Sequence, residues 1–345
     1  MGTSTLRVVT SGFSLLPTKT NAGKYSFNRA KTYLDEPFVA AFDSCDGRLV
    51  AFGKKAEALS GRETAAYDVR RPMKNGSIDD VKTVGTILNS IVSRICRGDL
   101  YKPLIAIAVS PGLNTIEKRA FAEACLDAGA SRVRLYPSPL LSLYGAGQSA
   151  YGTGAKFIID LGAGKTDAAV IAENEIKNCI TVRKGADDYA DEIRRYLELE
   201  KDVSVGLNTA RYILHTVGCA VMRREELAIS CAGRQSSTGL PVRFEINSSE
   251  AYWVCRSITD EIAAAAASML ENTDPELLYN SSREGIILTG GLSGLYGLCG
   301  YLKEKLKTDS VIAEDPANAV ERGLRHVLLM TGTFNAADCV EIGEA

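Results

Sequence analysis

The stretch Phe157-Ile-Ile-Asp160-Leu-Gly162-Ala163-Gly164-Lys165-Thr166-Asp167-Ala-Ala-Val-Ile171 limits what this chain can fold into more than any other segment. Two apolar runs flank a short glycine turn, which reads as a β-hairpin. Glycine at 162 and 164 permits positive φ and leaves the backbone N–H groups unobstructed, so Gly162, Ala163 and Gly164 can form a concavity that holds phosphate. Lys165 and Thr166 would add donors. Asp160, at the strand end, can hold a magnesium ion through water, because that ion keeps much of its hydration shell. The tail Gly164-Lys-Thr166 invites a P-loop reading, but that motif needs a glycine where Ile159 stands and a helix where Ala168 to Ile171 is strand-like.

A second glycine-rich segment, Gly285-Ile-Ile-Leu-Thr289-Gly290-Gly291-Leu292-Ser293-Gly294, runs from a strand into a turn ahead of a helix starting near Leu295. A nucleotide base or ribose can lie against such bare backbone at Gly290, Gly291, Leu292 and Ser293. The two motifs together point to the hairpin-type phosphate clamps of the actin, Hsp70 and sugar-kinase superfamily. The rest of the chain alternates in the same way. A strand over Leu104 to Val109 leads through Ser110-Pro-Gly112 to a helix from Asn114 to Ala128, and Gly129 stops it. The rhythm returns near Phe157 and again over Gly285 to Leu306, which predicts an α/β protein of two related halves. Before it, the polar run that follows Leu6 to Leu16 reads as a loop, Phe38 to Phe52 as a hairpin, and Ile78 to Cys96 as an amphipathic helix. A long helix from Ser249 to about Asn272 ends at Asp274-Pro275.

With 345 residues, 46% apolar, 24% charged and a net charge of −2, the chain has an ordinary globular composition and no basic stripe of the kind a nucleic-acid binder carries. The nine cysteines are widely spaced, form no Cys-x-x-Cys pair, and read as reduced apolar side chains. No segment has the length to span a bilayer and no signal-peptide core is evident, so a cytoplasmic protein is expected.

With these motifs in place, further segments resemble the bacterial MreB family of actin homologues across nearly the whole chain. Arg70-Arg-Pro72-Met-Lys74-Asn-Gly76-Ser-Ile78-Asp79 is similar to the signature after that family's first hairpin, and Asp35-Glu-Pro37 to the segment before it. Glu117-Lys-Arg119-Ala120, Ala128-Gly-Ala130-Ser, Ala313-Glu-Asp-Pro316 and Val320 to Gly323 also match in order. Gly206-Leu-Asn208-Thr209-Ala210 resembles a nucleotide-contacting helix start. The resemblance implies an actin/Hsp70/hexokinase-type ATPase fold, with two lobes and four subdomains around a central nucleotide cleft that takes ATP and Mg2+. It places lobe I at 1–150 with an insertion at about 31–70, lobe II at 151–325 with an insertion at about 186–248, and a C-terminal return at 326–345. It implies filaments formed with itself or an MreB paralogue, at the inner membrane alongside cell-wall synthesis proteins. Residues 1–5 are too short and polar for an amphipathic anchor.

The departures bear on activity. Counting back from Glu36, the family's first phosphate loop, Asp-Leu-Gly-Thr-Ala-Asn-Thr, falls on Pro17-Thr18-Lys19-Thr20-Asn-Ala-Gly23, where Thr18, Lys19 and Thr20 can still donate but Pro17 cannot hold a metal-bound water. The family's Glu-Glu-Pro, which orients the attacking water, is Pro137-Ser138-Pro139 here. Ser138 cannot accept a proton near neutral pH, so the expected protein is a filament former or filament partner with weak or absent hydrolysis. The alternatives are a fully active ATP-dependent polymer, with Lys19 and Lys165 supplying charge in place of metal contacts, and a small-molecule kinase of the same fold. The kinase reading lacks a carboxylate at the expected turn, and an Hsp70-type chaperone would need a peptide-binding domain beyond Ala345.

Overall fold

Residues 1–19, 25–60, 66–97, 102–149, 154–281, 285–329 and 340–343 are described by the structure, a computed structural model. The chain divides into two units, Met1–Tyr151 with Asn318–Ala345, and Gly152–Ala317.

The first unit opens on an antiparallel ribbon of β1 (Thr5–Lys19) and β2 (Tyr25–Pro37), in which Thr5 faces Pro37 and Lys19 faces Tyr25. This corrects the loop expected for the polar run. A two-stranded ribbon can form without an apolar face, so alternation gives little signal there. Leu6 and Phe38 anchor its base in the core. A small antiparallel sheet follows, with β3 (Ala40–Asp43) between β4 (Leu49–Phe52) and β5 (Tyr67–Arg70). Helix α1 (Val81–Ile95) buries Val84, Ile87, Leu88 and Ile91, the apolar stripe read from sequence, and Asp80 caps it by accepting from the Thr83 N–H at 3.0 Å. β6 (Leu104–Val109) and β7 (Arg132–Pro137) run parallel, joined by the crossover helix α2 (Thr115–Asp127), which Asn114 and Glu117 start with a reciprocal capping box. Helix α3 (Ser138–Gly145) leaves β7 directly.

The second unit is built on a five-stranded sheet. β8 (Lys156–Leu161), β9 (Thr166–Ala172) and β10 (Glu175–Val182) form an antiparallel meander. Helices α4 (Ala186–Lys201) and α5 (Leu207–Val217), the antiparallel pair β11 (Ala228–Gln235) and β12 (Pro241–Asn247), and the long α6 (Ser248–Glu271) come next. The chain then returns as β13 (Ile286–Thr289), α7 (Leu298–Leu306) and β14 (Ser310–Ile312), giving the order β10-β9-β8-β13-β14 with β8, β13 and β14 parallel. β8 is central and nearly wholly buried, which is why its sequence is a continuous apolar run. Tyr189 of α4 is fully buried and shares a 2.9 Å hydroxyl contact with Thr259 of α6, tying the helix layer together.

From Asn318 the chain belongs to the first unit again, ahead of the return expected near 326. α8 (Ala319–Leu329) packs on α3, and β15 (Val340–Gly343) pairs antiparallel with β7. The α3–α8 contact is backbone on backbone. A Cβ at Gly145 would lie 1.7 Å from the Ala319 carbonyl oxygen, and one at Gly323 would lie 1.8 Å from that of Leu141. Gly323→Ala must therefore push the helices apart, at a cost of about 2–3 kcal/mol, read as a lower urea midpoint. Gly300→Ala, at an exposed α7 position with nothing within 4 Å, is the matched control and should lose nothing. Equal losses in the two variants would contradict the close-contact account.

Candidate functional site

The β8–β9 hairpin is the site the sequence singled out, and its ladder sets the geometry. Asp160 lies directly opposite Asp167, and the Gly162 N–H donates to the Lys165 carbonyl at 2.9 Å to close the turn. Cross-strand partners share a face, so the two carboxylates stand side by side. The row continues outward, because Thr289 of β13 is the neighbour of Asp160 and Thr181 of β10 is the neighbour of Asp167. The Thr289 hydroxyl donates to Asp160 Oδ1 at 3.1 Å, and the Thr181 hydroxyl to Asp167 Oδ1 at 2.7 Å. The Lys165 ammonium is paired with Asp167 Oδ2. A Thr-Asp-Asp-Thr row thus crosses four strands, with Asp160 7% and Asp167 0% exposed and a lysine on one of its carboxylates.

Behind the turn stands the start of α4. The Ala186 and Asp187 N–H groups donate to the carbonyls of Gly162 and Ala163 at 3.1 and 2.7 Å. Gly185 makes this approach possible, since a Cβ there would sit 2.4 Å from the Ala163 oxygen. With the turn's carbonyls held from behind, the N–H groups of Ala163 and Gly164 donate to no other group among the described residues. They are the groups in which the glycine pattern places the expected anion donors. Two expected side-chain donors are otherwise employed. Thr166 is buried and its hydroxyl donates to the Lys184 carbonyl at 2.9 Å, and Lys165 is held by Asp167. Thr166 sits on the inward face of its strand, which its spacing did not reveal.

Arg211 was missed in the sequence. From the first turns of α5 its Nε and Nη2 both donate to Asp187 Oδ1, at 3.0 and 2.5 Å, fastening α5 to the α4 start beside the glycine turn. No local pattern links two residues on different helices. The neighbouring candidates divide: Asn208 is exposed and Thr209 half-buried, whereas Ala210 is fully buried in the core. At the second glycine turn, the Gly290 N–H donates to the Pro316 carbonyl at 2.7 Å and the Ser293 hydroxyl to the Gly290 carbonyl at 2.7 Å. Leu292 is part of the core, so the surface this turn offers is the exposed backbone of Gly291.

In the first unit, Ser138 is the first residue of α3 and is buried. Thr18 and Lys19 are ladder residues opposite Ser26 and Tyr25, not a phosphate loop, and Thr20 lies outside the described residues. The count from Glu36 assumed that position 17 sits at the ribbon base. The ladder instead pairs Glu36 with Leu6, so the polar turn at the base is Gly2-Thr3-Ser4-Thr5, where the Gly2 N–H donates to the Thr5 carbonyl at 2.9 Å and Thr3 Oγ1 accepts from the Gly76 N–H at 3.0 Å. Among the described residues no three His, Cys, Asp or Glu side chains gather to hold a metal, and no helix is long and apolar enough to cross a membrane.

Comparison with known proteins agrees with this architecture. The family described as MreB/Mbl protein matches residues 25–335. The cell shape-determining protein Mbl of Bacillus subtilis (strain 168) is 31% identical over 291 residues, covering 84% of this chain and 87% of that protein. The cell shape-determining protein MreB of Escherichia coli (strain K12) is 30% identical over 296 residues, covering 84% and 85%. Among solved structures, MreB5 of Spiroplasma citri bound to ADP superposes with a TM-score of 0.82 at 24% identity over 94% of this chain and 93% of that one. The MamK double helical filament gives 0.73 at 18% identity over 92% and 98%. The fold is of the actin type, and the chain belongs to the MreB/Mbl family.

Proposed function

We propose that this protein is a cytoskeletal filament subunit that binds ATP at its glycine turns, turns it over weakly or not at all, and contributes to cell shape. Family membership supports the filament role, together with relatives named as cell shape-determining proteins and a neighbour solved as a double helical filament. Nucleotide binding is supported by the N–H groups of Ala163 and Gly164, which donate to no other group among the described residues and are backed by the α4 start, and by a structural neighbour solved with ADP and with AMPPNP. The Gly291 backbone and the start of α5 at the exposed Asn208 and half-buried Thr209 are the further contacts on this reading. Gly2 to Thr5, rather than Pro17 to Gly23, serves as the first phosphate loop.

The observation that carries the claim of weak turnover is Ser138. A hydroxyl stands where the resembling pattern has a water-orienting carboxylate, and a hydroxyl cannot take the attacking water's proton near neutral pH. Asp160 is the carboxylate that would meet a water of nucleotide-bound magnesium, a contact weakened because its neighbour Asp167 already carries Lys165. The partner is a second copy or a paralogue, and the setting the cytoplasm, with any membrane contact made through the polymer's surface.

The test is phosphate release from ATP and magnesium run beside light scattering. The expected outcome is assembly with release about a hundredfold or more below that of a carboxylate-bearing relative. Release that rises with assembly to the relative's rate would sink the claim. Ser138→Glu restores a carboxylate and is expected to raise release by about tenfold or more, with assembly unchanged. A variant no faster than the parent would show that Ser138 is not what limits hydrolysis.

A further inference from the structure

Two carboxylates side by side in the interior of a sheet repel each other and need a cation, whatever else the site does. Asp160 and Asp167 are in that position, and the cation comes from the chain itself. Lys165 directly precedes β9 and is two residues from Asp167, so alternation carried back from the strand puts both on one face. Its ammonium pairs with Asp167 Oδ2 while Thr181 donates to Oδ1. It keeps 18% of its side chain exposed where Asp167 has none, which sets the charge on the open side of the buried carboxylate.

A magnesium ion ligated directly by both carboxylates does not fit this row. It would need near-octahedral oxygen ligands with several waters retained. Both oxygens of Asp167 and one of Asp160 already accept from protein donors, and the ammonium would stand against the ion. We propose that Lys165 is the resident cation of the Thr289-Asp160-Asp167-Thr181 row, standing where a divalent ion would otherwise be held, so that polyphosphate binding at this hairpin does not depend on magnesium. The last clause rests on the nucleotide reading above, whereas the cation assignment stands on the row alone. Lysine suits the part as a compact point charge with three rotatable donors, and its ammonium sits on the Asp167 carboxylate beside Asp160. The same pairing gives Lys165 a use that the glycine pattern had assigned to direct phosphate contact. It neutralises the floor of the turn and leaves the phosphate to the Ala163 and Gly164 N–H groups.

Two readouts test this. Manganese binding to the nucleotide-free protein, followed by electron paramagnetic resonance, should be absent at this site in the parent and in Lys165→Arg. It should appear at one ion per chain in Lys165→Thr, where the row is vacated. Manganese held by the parent as tightly as by Lys165→Thr, or by neither, would overturn the assignment, and the parent measurement stands even if the threonine variant folds poorly. The second readout is the affinity for AMPPNP, by competition with a fluorescent analogue, in magnesium and in EDTA. The parent should change by less than about threefold, and Lys165→Thr should weaken about tenfold or more in EDTA and recover with magnesium. A parent that weakens tenfold in EDTA contradicts metal independence. Absence of AMPPNP binding in both buffers overturns the nucleotide reading instead, and the manganese signal then decides the cation assignment by itself.

Discussion

The juxtaposition of Asp160 and Asp167 is the constraint around which the second unit is arranged. A buried carboxylate is tolerated only when donors and a counter-charge surround it, and here each one draws its donor from the strand next outward. The pairing therefore requires β13 on one flank and β10 on the other, in register at Thr289 and Thr181. That register fixes where the glycine turn ends, and the turn's carbonyls in turn receive the first N–H groups of α4. Hydrogen bonds from the sheet and α4 use up the carbonyls of the turn, and the Ala163 and Gly164 N–H groups are what this order of construction leaves over among the described residues.

Charge around the turn is closely balanced. Lys165 is paired with Asp167, Arg211 with Asp187 and Lys184 with Asp188. The first pair is buried on its acidic side, and the last is a partly exposed contact of the kind worth little. Arg211 differs from both in making two donations to one carboxylate oxygen, which fixes the α5 start relative to α4 and so orients Asn208 and Thr209.

The hairpin was legible because glycine and a buried central strand leave a local signature, the continuous apolar run of β8 and the Gly-x-Gly turn. The helices α1, α2 and α6 were legible for a similar reason, from an apolar stripe, a capping box and a proline stop. What escaped was non-local. The ribbon β1–β2 is held by a ladder whose residues need not alternate, so its polar stretch read as a loop and the phosphate-loop count slipped with it. The inward face of Thr166, the link from Arg211 to Asp187 and the contact of Gly145 and Gly323 with the facing helix all depend on which elements meet. No window of sequence holds that information.

On the proposed reading the protein is a filament subunit of the MreB/Mbl family whose polymer turns its nucleotide over weakly or not at all. The most direct measurement is the identity of the nucleotide extracted from pelleted assemblies grown in ATP and magnesium. ATP recovered intact from the pellet is the result the account predicts, and ADP at one per subunit would contradict it.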